Sequence, residues 1–106
     1  MNFQIWYMRP EWFREGICGE KPDPTNLDAT HVFLTSIAIK ASHNRADWTL
    51  QEVYHRMQGD VWSPNGEARQ LIESKGLSHT SMSVGDIAID EAGKAHIVAS
   101  FGFEPL

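Results

Sequence analysis

Apolar and polar positions alternate from the start of the chain, with Phe3, Ile5 and Tyr7 set against Gln4 and Trp6. A period of two puts the first three on one face of a strand over 2–8 and Trp6 on the other. Pro10 ends that strand. Residues 11–15 (Glu-Trp-Phe-Arg-Glu) can form one helical turn, which Gly16 stops. A loop of about a dozen residues follows, rich in Gly, Pro, Asn and Asp, and expected to be tied down by Ile17 and Leu27. Over 30–40 the chain is dense in β-branched residues, and Val32 and Leu34 alternate against Phe33 and Thr35. This stretch exceeds the ~5–6 residues usual for a strand, which predicts a bulge or bend near Ser36.

The period then changes. After a polar link over 41–47, Leu50, Val53, Tyr54 and Met57 recur at i, i+3, i+4 and i+7, one face of a helix. Thr49-Leu50-Gln51-Glu52 has the form of a capping box, and Trp48 and Val53 stand where a hydrophobic staple would pair them across that cap. Glu52 and Arg56 have ion-pair spacing, and Gly59 is the expected stop. A second helix is predicted over 63–76. Ser63 is its N-cap, Pro64 its first residue, and Ala68, Leu71 and Ile72 its buried face; Gly76 ends it and Leu77 folds back on Ile72. Asp60, Val61 and Trp62 form the apex of the corner between the helices. Residues 78–86 are a hydroxyl-rich approach to a hairpin. Ile87 and Ile89 alternate with Ala88 and Asp90, and residues 91–94 turn the chain. Ile97, Ala99 and Phe101 then share the isoleucines' face, His96, Val98 and Ser100 take the other, and Gly102 and Phe103 close the last strand. The expectation is one α+β domain over 1–106. It has an antiparallel sheet of about four strands, covered on one face by two short helices, in the order β-β-α-α-β-β.

Length and composition keep this picture and narrow its uses. A chain of 106 residues makes one domain with one core. No apolar run approaches the ~20 residues of a membrane span, and the first ten residues lack a basic region followed by an apolar block, so neither a span nor a signal peptide is expected. Cys18 is the single cysteine, too few for an intrachain disulfide or a Cys-based structural zinc, and a reducing, cytoplasmic setting fits. Net charge is -5, and the nine Lys and Arg are scattered. Nucleic-acid affinity comes from clustered cations on phosphates, so DNA or RNA binding is disfavoured.

Candidate chemistry gathers at the corner. Asp60, Trp62, Asn65, Glu67 and Arg69 fall close together, and His79, Thr80, Ser81 and Ser83 would join them if the hairpin packs under the second helix. Arg69 offers a planar donor fork, Trp62 a stacking plate, and the second helix free backbone donors at its N-terminus. Together they could hold a small anionic or aromatic ligand, or a partner's side chain. The bland alternative is that Ser63, Asn65 and the hydroxyls of 78–83 only cap a helix and satisfy turns, that Arg69 pairs with Glu67 or Asp86, and that Trp62 is core. Glu52 and His55 look like half of a Glu-x-x-His di-metal pair, but such a site needs a second copy, which the chain lacks. The histidines share no metal-ligand spacing, and neither Cys18 nor Ser81 or Ser83 lies in a nucleophile motif. No Gly-rich phosphate loop is present, and no metal or cofactor is expected. Four Trp are more than a core this small can fully bury, so at least one of Trp6, Trp12 and Trp62 is expected at an interface or pocket.

Several segments carry a likeness. They are Met57-Gln58-Gly59, Trp62-Ser63-Pro64-Asn65-Gly66-Glu67-Ala68-Arg69, His79-Thr80-Ser81-Met82-Ser83-Val84-Gly85-Asp86 and Ser100-Phe101-Gly102-Phe103. In these the chain resembles an uncharacterised family of small proteins, and of domains within larger ones, encoded by bacteria, plasmids and phages. Asp60 stands where that family more often has Glu. The resemblance implies no substrate; it implies a mobile-element accessory protein acting on its host. The sequence therefore favours a non-catalytic interaction module that binds a host protein, and a homodimer through a sheet edge is compatible with it. A small-ligand protein that sequesters a nucleotide-like anion comes second, and a small hydrolase or metal enzyme last.

Overall fold

Among the described residues, five strands form one antiparallel sheet in the order β2-β1-β3-β4-β5. They are β1 Asn2–Met8, β2 His31–Ala38, β3 Ile87–Ile89, β4 Ala95–Ala99 and β5 Gly102–Pro105. A computed structural model gives this fold and describes the backbone of residues 1–40 and 46–106 and the side chains of 1–40 and 49–106. Short helices accompany the sheet: α1 Phe13–Ile17, α2 Ala46–Arg56, α3 Gly59–Trp62 and α4 Arg69–Ser74.

The alternation of β1 decides where the core sits. Phe3, Ile5 and Tyr7 enter the larger apolar cluster, where sheet residues Leu34, Ala88 and Val98 meet Leu50, Val53, Met57 and Ile72 from the helical side. Trp6, on the opposite face, joins a smaller cluster with Leu27, Ile87 and Ile97. The second face of the sheet is thus not bare, as a one-sided layer would leave it. A 3₁₀ turn at Leu27–Ala29 lays Leu27 against it. Ile17, expected to help anchor that loop, is instead 65% exposed. In β2 the register slips at Leu34, because Ile5 pairs with Thr35 but Trp6 pairs with Phe33; the bulge therefore precedes the expected break near Ser36.

The helices differ from expectation mainly at their ends. α2 starts at Ala46, upstream of Thr49, so Thr49 is a buried residue within the helix and not its cap. Burial of Leu50, Val53 and Met57 in the core holds this helix against the sheet. The Trp48 side chain, and with it the expected staple to Val53, and the link over 41–45 lie outside the described residues. Glu52 and Arg56 do pair, at 3.4 Å. Gly59, read as the stop of α2, opens α3 instead. A Cβ there would come within 3.0 Å of Ser81 Oγ, the atom that accepts the Gly59 N–H at 2.8 Å.

The second predicted helix is shorter than its pattern. Residues 63–68 turn before α4 begins, with Ser63 O accepting the Gly66 N–H at 3.2 Å and Ser63 Oγ the Ala68 N–H at 2.9 Å. Asn65 and Gly66 are stronger turn formers than Pro64 is a helix starter. Its other end is as expected. Leu77 N–H bonds Ile72 O and Gly76 N–H bonds Glu73 O, both at 3.0 Å, with Gly76 in the left-handed region: a Schellman cap. Gly16 lies inside α1 and does not stop it; a Cβ at that buried position would strike the Met8 sulfur. The fifth strand arises because Ser100 and Phe101 form a turn, pairing Ala99 with Gly102, so Phe101 never joins the face of Ile97.

Candidate functional site

The 78–86 segment is organised by one wholly buried carboxylate. Asp86 Oδ1 accepts the Met8 N–H at 2.8 Å, and Oδ2 accepts the Ser83 N–H and His79 Nε2–H, each at 2.8 Å. The His79 ring stacks on Tyr7 with centroids 4.5 Å apart, and Phe13 meets it edge-on at 5.1 Å. Tyr7 donates its hydroxyl to Thr80 O at 2.7 Å; burial, then the charge of Asp86, push its pKa far above the usual phenol value. Next to this knot, His31 donates Nε2–H to Gly85 O at 2.7 Å and accepts from the Thr30 hydroxyl at Nδ1, also at 2.7 Å. Burial holds the His31 pKa below its ordinary value. The other ring nitrogen of His79, Nδ1, is buried with no hydrogen-bond partner among the described residues.

The polar corner is drawn into the same framework. Trp62 donates its indole N–H to Thr80 O at 3.0 Å and packs against the larger cluster. Glu67 accepts from the Asn65 backbone at 3.0 Å and its amide at 3.1 Å, bonds that hold its carboxyl below the usual range. Ser81 Oγ takes the Gly59 N–H, and Ser83 donates its hydroxyl to Ser81 O at 3.0 Å. Arg69 pairs with neither Glu67 nor Asp86, whose acceptors are occupied, and among the described residues neither it nor Asp60 forms an ion pair. The nine candidates do not converge on one site. Arg69 and Thr80 line a groove of about 440 Å³ with Ser63 and Ser78. His79 and Ser83 face a separate cleft of about 300 Å³ with Met8, Phe13, Ile17 and Val84.

An apolar rim, which the sequence did not single out, lies where that second cleft continues. Val84 lines it and two more: one of about 240 Å³ with Cys18, Ile97 and Phe101, and one of about 440 Å³ with Tyr54, Val98 and Phe103. Phe101 is 98% exposed, and Tyr54, edge-on to Phe103, is 39% exposed. Trp6, Trp12 and Trp62 are all partly buried, so among the described residues the outstanding exposed aromatic is a Phe and not one of these three tryptophans. The clue was Ser100-Phe101-Gly102, a short turn whose glycine has φ +83 and which leaves its middle residue no sheet face to join.

Among the described residues no three of His, Cys, Asp and Glu gather as metal ligands, and no helix is long and apolar enough to cross a membrane. No family model, curated protein or solved structure matches this chain.

Proposed function

We propose that this protein is a non-catalytic interaction module whose docking surface is the rim around Val84, Ile17, Tyr54 and Phe101. The observation that carries this reading is the full exposure of Phe101 at the mouth of a mixed polar and apolar cleft, which shares Ile17 and Val84 with the apolar cleft of Met8 and Phe13. Leaving a Phe in water forgoes roughly 1.5–3 kcal/mol relative to burial, and buried aromatic anchors dominate binding energetics at interfaces. The polar corner supports the reading by default, since its Trp, Asn, Glu and Ser side chains are committed to holding the fold. In the mobile-element setting that the resemblance implies, the partner is a host protein presenting apolar side chains, met in the host cytoplasm. The test is quantitative affinity capture from host lysate with the wild type, Phe101→Ser, Ile17→Ser and Arg69→Ala. Capture should fall at least tenfold in the first two variants and persist in the third; equal capture by Phe101→Ser would remove the rim from consideration.

A second reading rests on Arg69. Arg69 lines the polar groove together with Glu73 but forms no ion pair with it or with any other described residue, which leaves its guanidinium available to a nucleotide-like anion. Thermal unfolding with ATP and with inorganic pyrophosphate decides it. A true ligand at a hundredfold excess over Kd stabilises by about 2.7 kcal/mol, and no shift that depends on Arg69 would end this reading.

A further inference from the structure

The two edges of the sheet are finished differently. β5 has four residues, Gly102, Phe103, Glu104 and Pro105, and its glycine, charge and proline all discourage pairing. β2 has eight, His-Val-Phe-Leu-Thr-Ser-Ile-Ala, with no proline and no Lys, Arg, Asp or Glu. The one titratable side chain in it, His31, is buried and turned to Gly85.

The directions of the β2 backbone groups follow from the register. Met1 and Ile39 exchange both hydrogen bonds, at 2.9 and 2.7 Å. Hydrogen-bonded and non-bonded pairs alternate along an antiparallel ladder. With Asn2 opposite Ala38, Phe3 opposite Ile37, Gln4 opposite Ser36 and Ile5 opposite Thr35, the groups of Thr35 and Ile37 face β1. Those of Ser36 and Ala38 face outward; among the described residues no backbone group meets them, and Ser36 O takes only a long hydrogen bond from the adjacent Thr35 hydroxyl, at 3.5 Å. Both residues also expose their side chains.

We propose that β2 pairs edge to edge with β2 of a second copy, antiparallel about a two-fold axis at Ile37, so that one sheet runs through a homodimer. In that register Ser36 of each copy exchanges hydrogen bonds with Ala38 of the other, about four in all. Ile37, half-buried against the larger cluster, lies beside its own copy and carries that core across the axis. An isologous contact brings every residue near itself or its neighbours, which a charged strand would resist and this strand does not. The bulge at Leu34 confines the contact to 35–38 and keeps it modest in size.

Sedimentation velocity, with concentration raised through the micromolar range, tests the pairing. The mass should rise toward twice the 12.0 kDa of one chain. Ser36→Pro removes an outward N–H without touching the ladder to β1, and should weaken dimerisation at least tenfold while the dilute protein keeps its melting temperature. Ser36→Ala keeps the N–H and should keep the dimer, as should Phe101→Ser, which alters only the rim. A wild type that stays monomeric, or a dimer that survives Ser36→Pro, overturns the proposal. Should Ser36→Pro fail to fold, amide exchange on the wild type takes its place. Protection at Ser36 and Ala38 must rise with concentration, and protection independent of concentration counts against the edge.

Discussion

Replacing Asp86 by Ala should cost this domain about 4 kcal/mol. The carboxylate is wholly buried and accepts from Met8 N, Ser83 N and His79 Nε2. Hydrogen bonds to a charged group contribute roughly 1.5–3 kcal/mol each, so three of them set an upper figure near 9. Water entering the space returns part of that, and one-sided removal of a buried pair costs about 3–5 kcal/mol in general. Against a total stability of about 5–15 kcal/mol the variant would fold marginally, with Tm lower by roughly 15 °C or more. Urea unfolding followed by circular dichroism measures it. Asp86→Asn keeps one acceptor but turns an NH₂ toward one side of the site, so about half the cost is expected. His79→Ala combined with Asp86→Ala should fall short of additivity by about 1 kcal/mol or more, because each variant removes the same contact. A cost below about 1 kcal/mol for Asp86→Ala would mean that the carboxylate does not organise the 78–86 segment.

Other expectations follow from neighbouring residues. Burial keeps His31 neutral below its usual pKa while the unfolded chain takes up a proton. Its contribution is therefore complete above about pH 6.5 and is lost as pH falls through the lowered folded value. Urea midpoints should drop between about pH 7 and pH 5, and His31→Gln should flatten that slope; an unchanged slope would point to other groups. Gly85→Ala should cost about 2–4 kcal/mol, since φ is +97° and the new Cβ meets the Met8 side chain. Gly93→Ala, with φ +81° and open space, should cost only about 1–2, and equal losses in urea unfolding would refute the packing argument. Phe101→Ser should change stability by no more than about 0.5 kcal/mol, because its side chain is already in water; a larger loss in Tm would show that Phe101 supports the fold.

Legibility in the sequence followed the reach of each signal. β1 could be read in full, because Phe3, Ile5 and Tyr7 alternate over a face that is entirely buried. The Schellman end of α4 could be read because Gly76 and Leu77 act within one turn. The starts of the helices could not. Thr49 and Ser63 each present a capping residue, but the burial of Leu50 and Val53 and the turn at Asn65 and Gly66 override them. At the site, the segment 78–83 does pack on the corner, through Ser81 to Gly59 and Thr80 to Trp62. The role of Asp86 was hidden because one of its donors, Met8, lies 78 positions away and strand order alone brings them together. Phe101 was hidden by two-residue periodicity, which carried on past Ala99 although the chain turns there.

Site-specific photo-crosslinking tests the central claim most directly. A photoreactive phenylalanine replaces Phe101 in one protein and Asn65 in another, and both are irradiated in host lysate. Position 101 should yield a discrete covalent adduct to one host protein, diminished by Ile17→Ser, and position 65 should yield none. The reverse pattern, an adduct from 65 and none from 101, would return the binding surface to the polar corner and contradict the account.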